Sequence, residues 1–239
     1  MTGKTFQVAI DGPVAAGKGT VSRLLADRLK LLYVDTGAMY RVVAYLGLQH
    51  KIDLDQEDLL LPLVQQTQIT LRNPVGPEID GRLTTVLVDD QDVSWAIRTE
   101  KVSQGASKVA VHPKIREELV KKQQQIADQQ NVVMEGRDIT FKVLPNADLK
   151  IYLTANNTVR AKRRHFDLLT KGVDVEFNEV YQDLIQRDER DINRAIDPLQ
   201  QVKDAWVIDT SDLSIPQVVS LITAKARMLM KSKKFKNKR

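Results

Sequence analysis

Gly12-Pro13-Val14-Ala15-Ala16-Gly17-Lys18-Gly19-Thr20 joins two glycines five positions apart to a lysine and a threonine. A loop of that spacing, set between a strand and a helix, wraps backbone N–H groups around the phosphates of a nucleotide. Lys18 adds an ammonium for the outer phosphates, and the helix N-terminus behind it adds positive potential. Gly19 stands where such loops usually carry Ser or Thr, so Thr20 is the candidate hydroxyl for Mg²⁺. Arginine is the second recurring chemistry. Arg137 lies in Glu135-Gly136-Arg137-Asp138, and Arg160, Arg163 and Arg164 share one stretch. Arg187, Asp191 and Arg194 fall at i, i+4 and i+7, which places them on one helix face. Phosphoryl transfer develops charge on equatorial oxygens, and cationic clamps are what that charge needs. The combination predicts a bound nucleoside triphosphate and a catalyst that works by guanidinium clamping.

The elements that must position these groups alternate in type. Short apolar runs read as strands at Phe6–Ile10, Leu31–Val34, Val132–Met134, Leu149–Leu153 and Trp206–Asp209. Helical periodicity separates them: Val21, Leu24, Leu25 and Leu29 form one face, and Met39, Val42, Val43 and Leu46 another. Helix resumes at Thr99, is interrupted at Pro113 and continues to about Gln130, with Pro113 suited to a first helical position. A final helix starts at Ser214-x-x-Gln217, a capping-box pattern, with Ile215, Val218, Val219, Ile222, Ala226 and Leu229 as its core face. The pattern predicts an α/β three-layer sandwich around a five-stranded parallel sheet. Gln68 to Val93 alternates in β fashion with turns at Asn73-Pro74, Gly76-Pro77 and Asp80-Gly81, and reads as a small antiparallel insert, residues 67–93. Asn157–Leu169 and Asn178 to about Arg194 read as a helical hairpin broken at Gly172, residues 157–194. The core of this single domain is then 1–66, 94–156 and 195–230. Ligands of such sheets collect beyond the carboxyl ends of the strands. Three loops end strands there: the phosphate loop, Asp35-Thr36-Gly37 and Gly136-Arg137-Asp138. They are expected to surround one crevice.

Composition narrows the function classes. The 239 residues include no cysteine, which excludes disulfides and thiolate catalysis, and three scattered histidines argue against a histidine metal site. No apolar run approaches the roughly 20 residues of a membrane span. No signal peptide is expected before the first strand, which makes the cytoplasm the expected compartment. The formal charge is +5, but the last nine residues, KSKKFKNKR, hold six cations, so the remainder carries −1. Residues 231–239 are therefore expected to be a solvated, disordered basic tail rather than a specific nucleic-acid site. A phosphate-loop ATPase acting on nucleic acid through that tail is the competing class. A guanine-reading N-K-x-D is missing, which removes GTPases.

The G-K-G-T loop followed by Asp35-Thr36-Gly37-Ala38-Met39-Tyr40-Arg41 resembles the bacterial cytidylate kinases, members of the nucleoside monophosphate kinases. The resemblance continues through Ile97-Arg98-Thr99-Glu100, Ala106-Ser107, Pro113–Glu117, Gly136-Arg137-Asp138, Arg187–Arg194, Asp197-Pro198-Leu199 and the Trp206 strand. It implies transfer of the γ-phosphoryl group of ATP, with Mg²⁺, to CMP or dCMP by a monomer. It also implies roles. Gly12 to Thr20 would hold ATP, with Arg160 and Arg164 from a mobile lid formed by the hairpin. Arg41, Arg137 and Arg194 would hold the acceptor phosphate, and Arg187 and Asp191 the sugar hydroxyls. Ser107, Arg116 and Asp138 would read the cytosine edge. Asp35 and Thr36 would touch either CMP or Mg²⁺-bound water. Lys18, Arg137, Arg187 and Arg194 would stabilise the transferring group. The insert would be the substrate lobe. Where the family carries a Gly-Thr pair after Gly-Arg-Asp, this chain has Ile139-Thr140-Phe141-Lys142, so the backbone contacts of that loop are the point of departure.

Overall fold

The computed structural model describes residues 5–170 and 172–236. A central parallel sheet holds β1 (Gln7–Asp11), β2 (Leu32–Asp35), β6 (Val132–Gly136), β7 (Leu149–Thr154) and β8 (Trp206–Asp209), in the order β2-β6-β1-β7-β8. Both faces of this sheet are covered, which is why its strands read as continuous apolar runs. Side chains alternate between two cores. Ala9, Val34 and Met134 point to one, packed by α2 (Thr36–Gln49), α4 (Glu100–Val109) and α5 (Pro113–Gln129). Val8, Ile10, Val133 and Ile151 point to the other, packed by α1 (Lys18–Leu29) and α8 (Ile215–Lys236). Pro113 takes the first turn of α5, where its missing N–H costs nothing.

The insert is a three-stranded antiparallel sheet of β3 (Ile69–Arg72), β4 (Thr85–Val88) and β5 (Gln91–Asp92), reached through α3 (Glu57–Gln66). Asn73 fastens it to the edge of the main sheet. Its amide accepts from the Tyr33 N–H at 3.0 Å and donates to the Leu31 carbonyl at 2.8 Å. The hairpin is α6 (Asn157–Thr170) and α7 (Phe177–Asn193), broken where Gly172 adopts φ +75°.

The C-terminal end departs from expectation in three ways. Ile215 is 46% exposed, because the first turn of α8 projects beyond the sheet, while Val218, Val219, Ile222 and Ala226 are buried. The capping box forms by half: the Gln217 side chain accepts from the Ser214 N–H at 2.9 Å, but the Ser214 hydroxyl donates to the same oxygen rather than accepting from the backbone. The tail expected to be disordered from Lys231 is helical as far as Lys236. Lys233 donates to both oxygens of Asp148 at 2.7 Å and to the Thr5 carbonyl at 2.7 Å, so one of its cations is a structural anchor. Lys238 and Arg239 lie outside the described residues.

Candidate active site

β1, β6 and β2 are adjacent, and their registers align Asp11 with Gly136 and Asp35 with Glu135. That alignment places the phosphate loop, Gly136-Arg137-Asp138 and Asp35-Thr36-Gly37 side by side at one end of the sheet. Gly12 leaves β1 at φ +152°, and a Cβ there would lie 1.9 Å from the Leu153 carbonyl oxygen, so only glycine lets the chain pass β7. Gly17 caps α1 at φ +86°. Lys18 is 6% exposed and donates to the Pro13 carbonyl at 2.8 Å. Burial, reinforced by the charge of Arg137, lowers its ammonium to about 7. The Asp11 carboxylate accepts from the Ile139 N–H at 3.0 Å, the Thr140 N–H at 2.7 Å and the Thr140 hydroxyl at 2.6 Å. Those three bonds fasten a wide turn, Ile139–Val143, to the end of β1. Thus the segment that departs from the family pattern is pinned beside the phosphate loop by its own threonine.

The three loops open on a cleft of about 1090 Å³. Ala15 and Gly17–Thr20 form its phosphate-loop wall; Gly12, Pro13, Val14 and Ala16 stand behind that wall as its frame. Asp35, Thr36, Arg41, Ser107, Arg116, Arg137, Asp138, Arg164, Arg187, Asp191 and Arg194 all reach the cleft, so eleven residues singled out along much of the chain meet there. Three of its eight guanidiniums are hydrogen-bonded to a carboxylate. Arg41 donates to Asp35 at 2.6 Å, and Arg137 to Asp191 at 2.7 Å. Arg116 contacts Asp138 and, at 3.3 Å, Asp197, and lies 5.6 Å from the centre of the Tyr40 ring. Thr36 spends its hydroxyl on the Glu135 carbonyl at 2.8 Å.

Arg160 is the exception. It is 3% exposed and does not border the cleft. Its donors go to the carbonyls of Ala155 (3.0 Å) and Val14 (2.8 Å), to Asn157 (2.6 Å) and to Asp188 (2.5 Å). All of these partners belong to the framework around the phosphate loop. Several residues without an assigned role also face the cleft, two of them charged and beside Asp35 or the phosphate loop. Arg98 lies 3.8 Å from Asp35, and its Nε and Nη2 are buried with no hydrogen-bond partner; the Nε of Arg41 is likewise unpaired. Buried guanidinium nitrogens left unpaired mark a place for an anion. In the sequence Arg98 stands in the Ile97-Arg98-Thr99-Glu100 stretch of the family resemblance, but nothing in that stretch sets it apart from a surface arginine. Glu135 is the other. Its carboxylate accepts from the Tyr33 hydroxyl at 3.3 Å, beside Gly19.

The match to the cytidylate kinase family model covers residues 8–228. The chain belongs to the cytidylate kinase family. It is 43% identical over 219 residues to the cytidylate kinase of Bacillus subtilis (strain 168), covering 92% of this chain and 95% of that one. The cytidylate kinase of Geobacillus sp. (strain WCH70) is 44% identical over 217 residues, 91% of this chain and 94% of that one. A solved structure of an uncharacterized protein from Eubacterium ventriosum ATCC 27560 aligns over 93% of this chain and 99% of that one, with a TM-score of 0.51 at 10% identity; this likeness concerns the fold alone.

Within this cytidylate kinase fold Arg116 and Asp138 are deeply buried. Burial pushes the Asp138 carboxyl up against the opposing pull of Arg116 and Arg194. Burial alone would raise Asp35 too, but Arg41 and Arg98 outweigh it and hold its carboxyl below the usual range. No cluster of three or more His, Asp or Glu side chains able to cage a metal occurs among the described residues. Glu135 and Thr20 are oxygen-bearing side chains on the cleft, and the Glu135 carboxylate lies beside Gly19 of the phosphate loop. That donor set suits a cation that keeps its waters and is carried on phosphates, as Mg²⁺ is.

Proposed function

We propose that this chain transfers the γ-phosphoryl group of ATP to CMP or dCMP, giving CDP or dCDP and ADP. The observation that carries the reading is one cleft lined together by the phosphate loop with Lys18, by Ser107, Arg116 and Asp138, and by further arginines. We read it as holding two nucleotides laid end to end. ATP takes the loop that ends at Thr20. The cytosine lies against Ser107, Arg116 and Asp138, where a carboxylate and a guanidinium complement its amine donor and its acceptors. Uracil reverses that pattern. Arg41 and Arg98 anchor the acceptor phosphate with their unpaired nitrogens, Arg187 and Asp191 take the sugar, and Arg137 and Arg194 lie along the path of transfer.

An oxygen of the acceptor phosphate attacks the γ-phosphorus in line, and the bond from that phosphorus to the bridging oxygen of ADP breaks. The acceptor oxygen is already ionised near neutral pH, so the protein supplies no general base. Lys18 and Arg137 meet the charge that spreads over the equatorial oxygens, and alignment supplies most of the acceleration. Thr20 and Glu135 would hold Mg²⁺, directly or through its waters, where it neutralises phosphate charge. The α6–α7 hairpin is the lid that excludes water, a rival acceptor. The insert forms the substrate lobe, and the enzyme works as a monomer in the cytoplasm. No helix among the described residues is long and apolar enough to cross a membrane.

The test is an ADP-release assay over CMP, dCMP, UMP and AMP at fixed MgATP. CMP and dCMP are expected to exceed the others. AMP turning over as fast as CMP would refute the acceptor assignment.

A further inference from the structure

Asp188 and Arg160 lie outside the cleft, yet both hold the phosphate loop. The Asp188 Oδ1 accepts from the Val14 N–H at 3.0 Å, and Arg160 donates to the Val14 carbonyl at 2.8 Å. The two side chains are themselves paired at 2.5 Å, and both are buried. Arg160 belongs to α6 and Asp188 to α7, so each helix of the hairpin sends one charged group to the same residue of the loop. Further bonds from Arg160 to the Ala155 carbonyl and to Asn157 tie the joint to the end of β7.

We infer that Arg160 and Asp188 form a clamp that sets the register between the phosphate loop and the hairpin, and so the distance between the donor and acceptor nucleotides. This rests on the assignment of Arg187 and Asp191 to the acceptor side. Asp188 continues the buried stripe Val180, Leu184 at i+4 spacing, while Arg187 and Asp191 on the same helix face the cleft. Fixing Asp188 on Val14 therefore fixes where the neighbouring face presents its guanidinium and carboxylate relative to Lys18. A bare carboxylate behind a triphosphate loop would repel the ligand. Arg160 neutralises it, and the pair is buried where solvent does not loosen it. Both are positioning residues: they touch no reacting atom and act through the Val14 backbone. A misplacement of about 1 Å in such a site can cost about 100-fold in rate.

The experiment compares the wild type with Asp188→Ala, Asp188→Asn, Arg160→Ala and the double Ala variant. It reads kcat, KM for ATP and for CMP, melting temperature, and amide hydrogen exchange at Val14. Asp188→Ala is expected to speed Val14 exchange and to lower kcat by about 10- to 100-fold, with KM for CMP within about threefold. The double variant is expected to lose little more than the worse single, since either change opens the same joint. A purely structural role would instead lower melting temperature and active fraction together and leave kcat per folded molecule intact. Unchanged Val14 exchange, kcat within about twofold of wild type, or losses that multiply in the double variant would overturn the clamp. If Asp188→Ala does not fold, Asp188→Asn decides, because its carboxamide still accepts from Val14 but no longer pairs with the Arg160 charge. A fall in kcat of about threefold or more supports the clamp, and unchanged kcat overturns it. Wild-type failure to use CMP would sink the acceptor assignment, while Val14 exchange would still judge the clamp.

Discussion

Replacing Asp138 with alanine separates base reading from phosphate handling. Asp138 is 5% exposed and is the closest counter-charge of Arg116, which is 2% exposed. Its removal leaves the guanidinium with Asp197 at 3.3 Å, the Ala110 carbonyl at 3.1 Å and the Tyr40 ring. Breaking a buried pair costs about 3–5 kcal/mol when the survivor is left alone. Here Asp197 retains part of the neutralisation, and about 2–3 kcal/mol is expected. For a chain of this size that corresponds to a melting temperature lower by roughly 4–12 °C. The catalytic signature differs. A well-formed polar contact to a base edge is worth about 1–3 kcal/mol of discrimination, so the CMP-to-UMP ratio of kcat/KM should fall by roughly 10- to 100-fold. KM for ATP should stay within about twofold, since no phosphate-loop group contacts Asp138. The assay is ADP release with each acceptor at 20 °C, well below the lowered melting point. An unchanged acceptor ratio, or an ATP KM rising in step with that for CMP, would refute the placement of the base.

Three further outcomes follow from other groups. Arg98→Gln should weaken CMP by about tenfold or more yet leave cytidine binding unchanged, measured by calorimetry; equal losses for both would place Arg98 away from the phosphate. Lys18, lowered to about 7 in the ligand-free protein, regains its proton against a triphosphate, so KM for ATP should rise as pH climbs from 7 to 9. The unfolded chain holds that proton to higher pH, so the ligand-free fold should gain stability over the same interval; a flat KM profile would contradict the burial of Lys18. Lys233→Ala should lower stability by about 1 kcal/mol in denaturant melts without changing CMP turnover, because Asp148 loses its partner far from the cleft.

The main sheet was legible because each strand is buried on both faces and each helix shows one apolar face. Loop positions were legible for the same reason: strands that run parallel deliver their ends to one side. What was not legible depended on pairing across distance. Arg160 and Arg164 look alike in sequence, four residues apart on one helix, yet only Arg164 reaches the cleft. The difference is Asp188, 28 residues on, which captures Arg160. Arg98 had no periodic signal, since its role comes from a buried, unpaired guanidinium that no local pattern encodes. Lys233 read as one of many tail lysines, and only Asp148 at the base of β7 distinguishes it. Side-chain partners far apart in the chain are the part of the site that spacing does not carry.

The overall charge was equally silent about the cleft. Without its last nine residues the chain carries −1, which predicts no attraction for two polyanionic nucleotides. The cleft wall nevertheless bears nine basic side chains against five acidic ones. Those acidic groups have a use of their own. Asp35, Asp138 and Asp191 hold Arg41, Arg116 and Arg137 in place before any ligand arrives, so their rotamers are already ordered. Ordering done during folding is not charged again at binding, where each flexible side chain would otherwise cost about 0.5–1.5 kcal/mol. The surplus of cations supplies the attraction, and the carboxylates supply the geometry. Neutralising the one that takes no ligand in this reading, as in Asp35→Asn, should therefore reduce kcat more than it reduces the affinity for either nucleotide. If affinity fell first, the carboxylate would be a ligand rather than a brace.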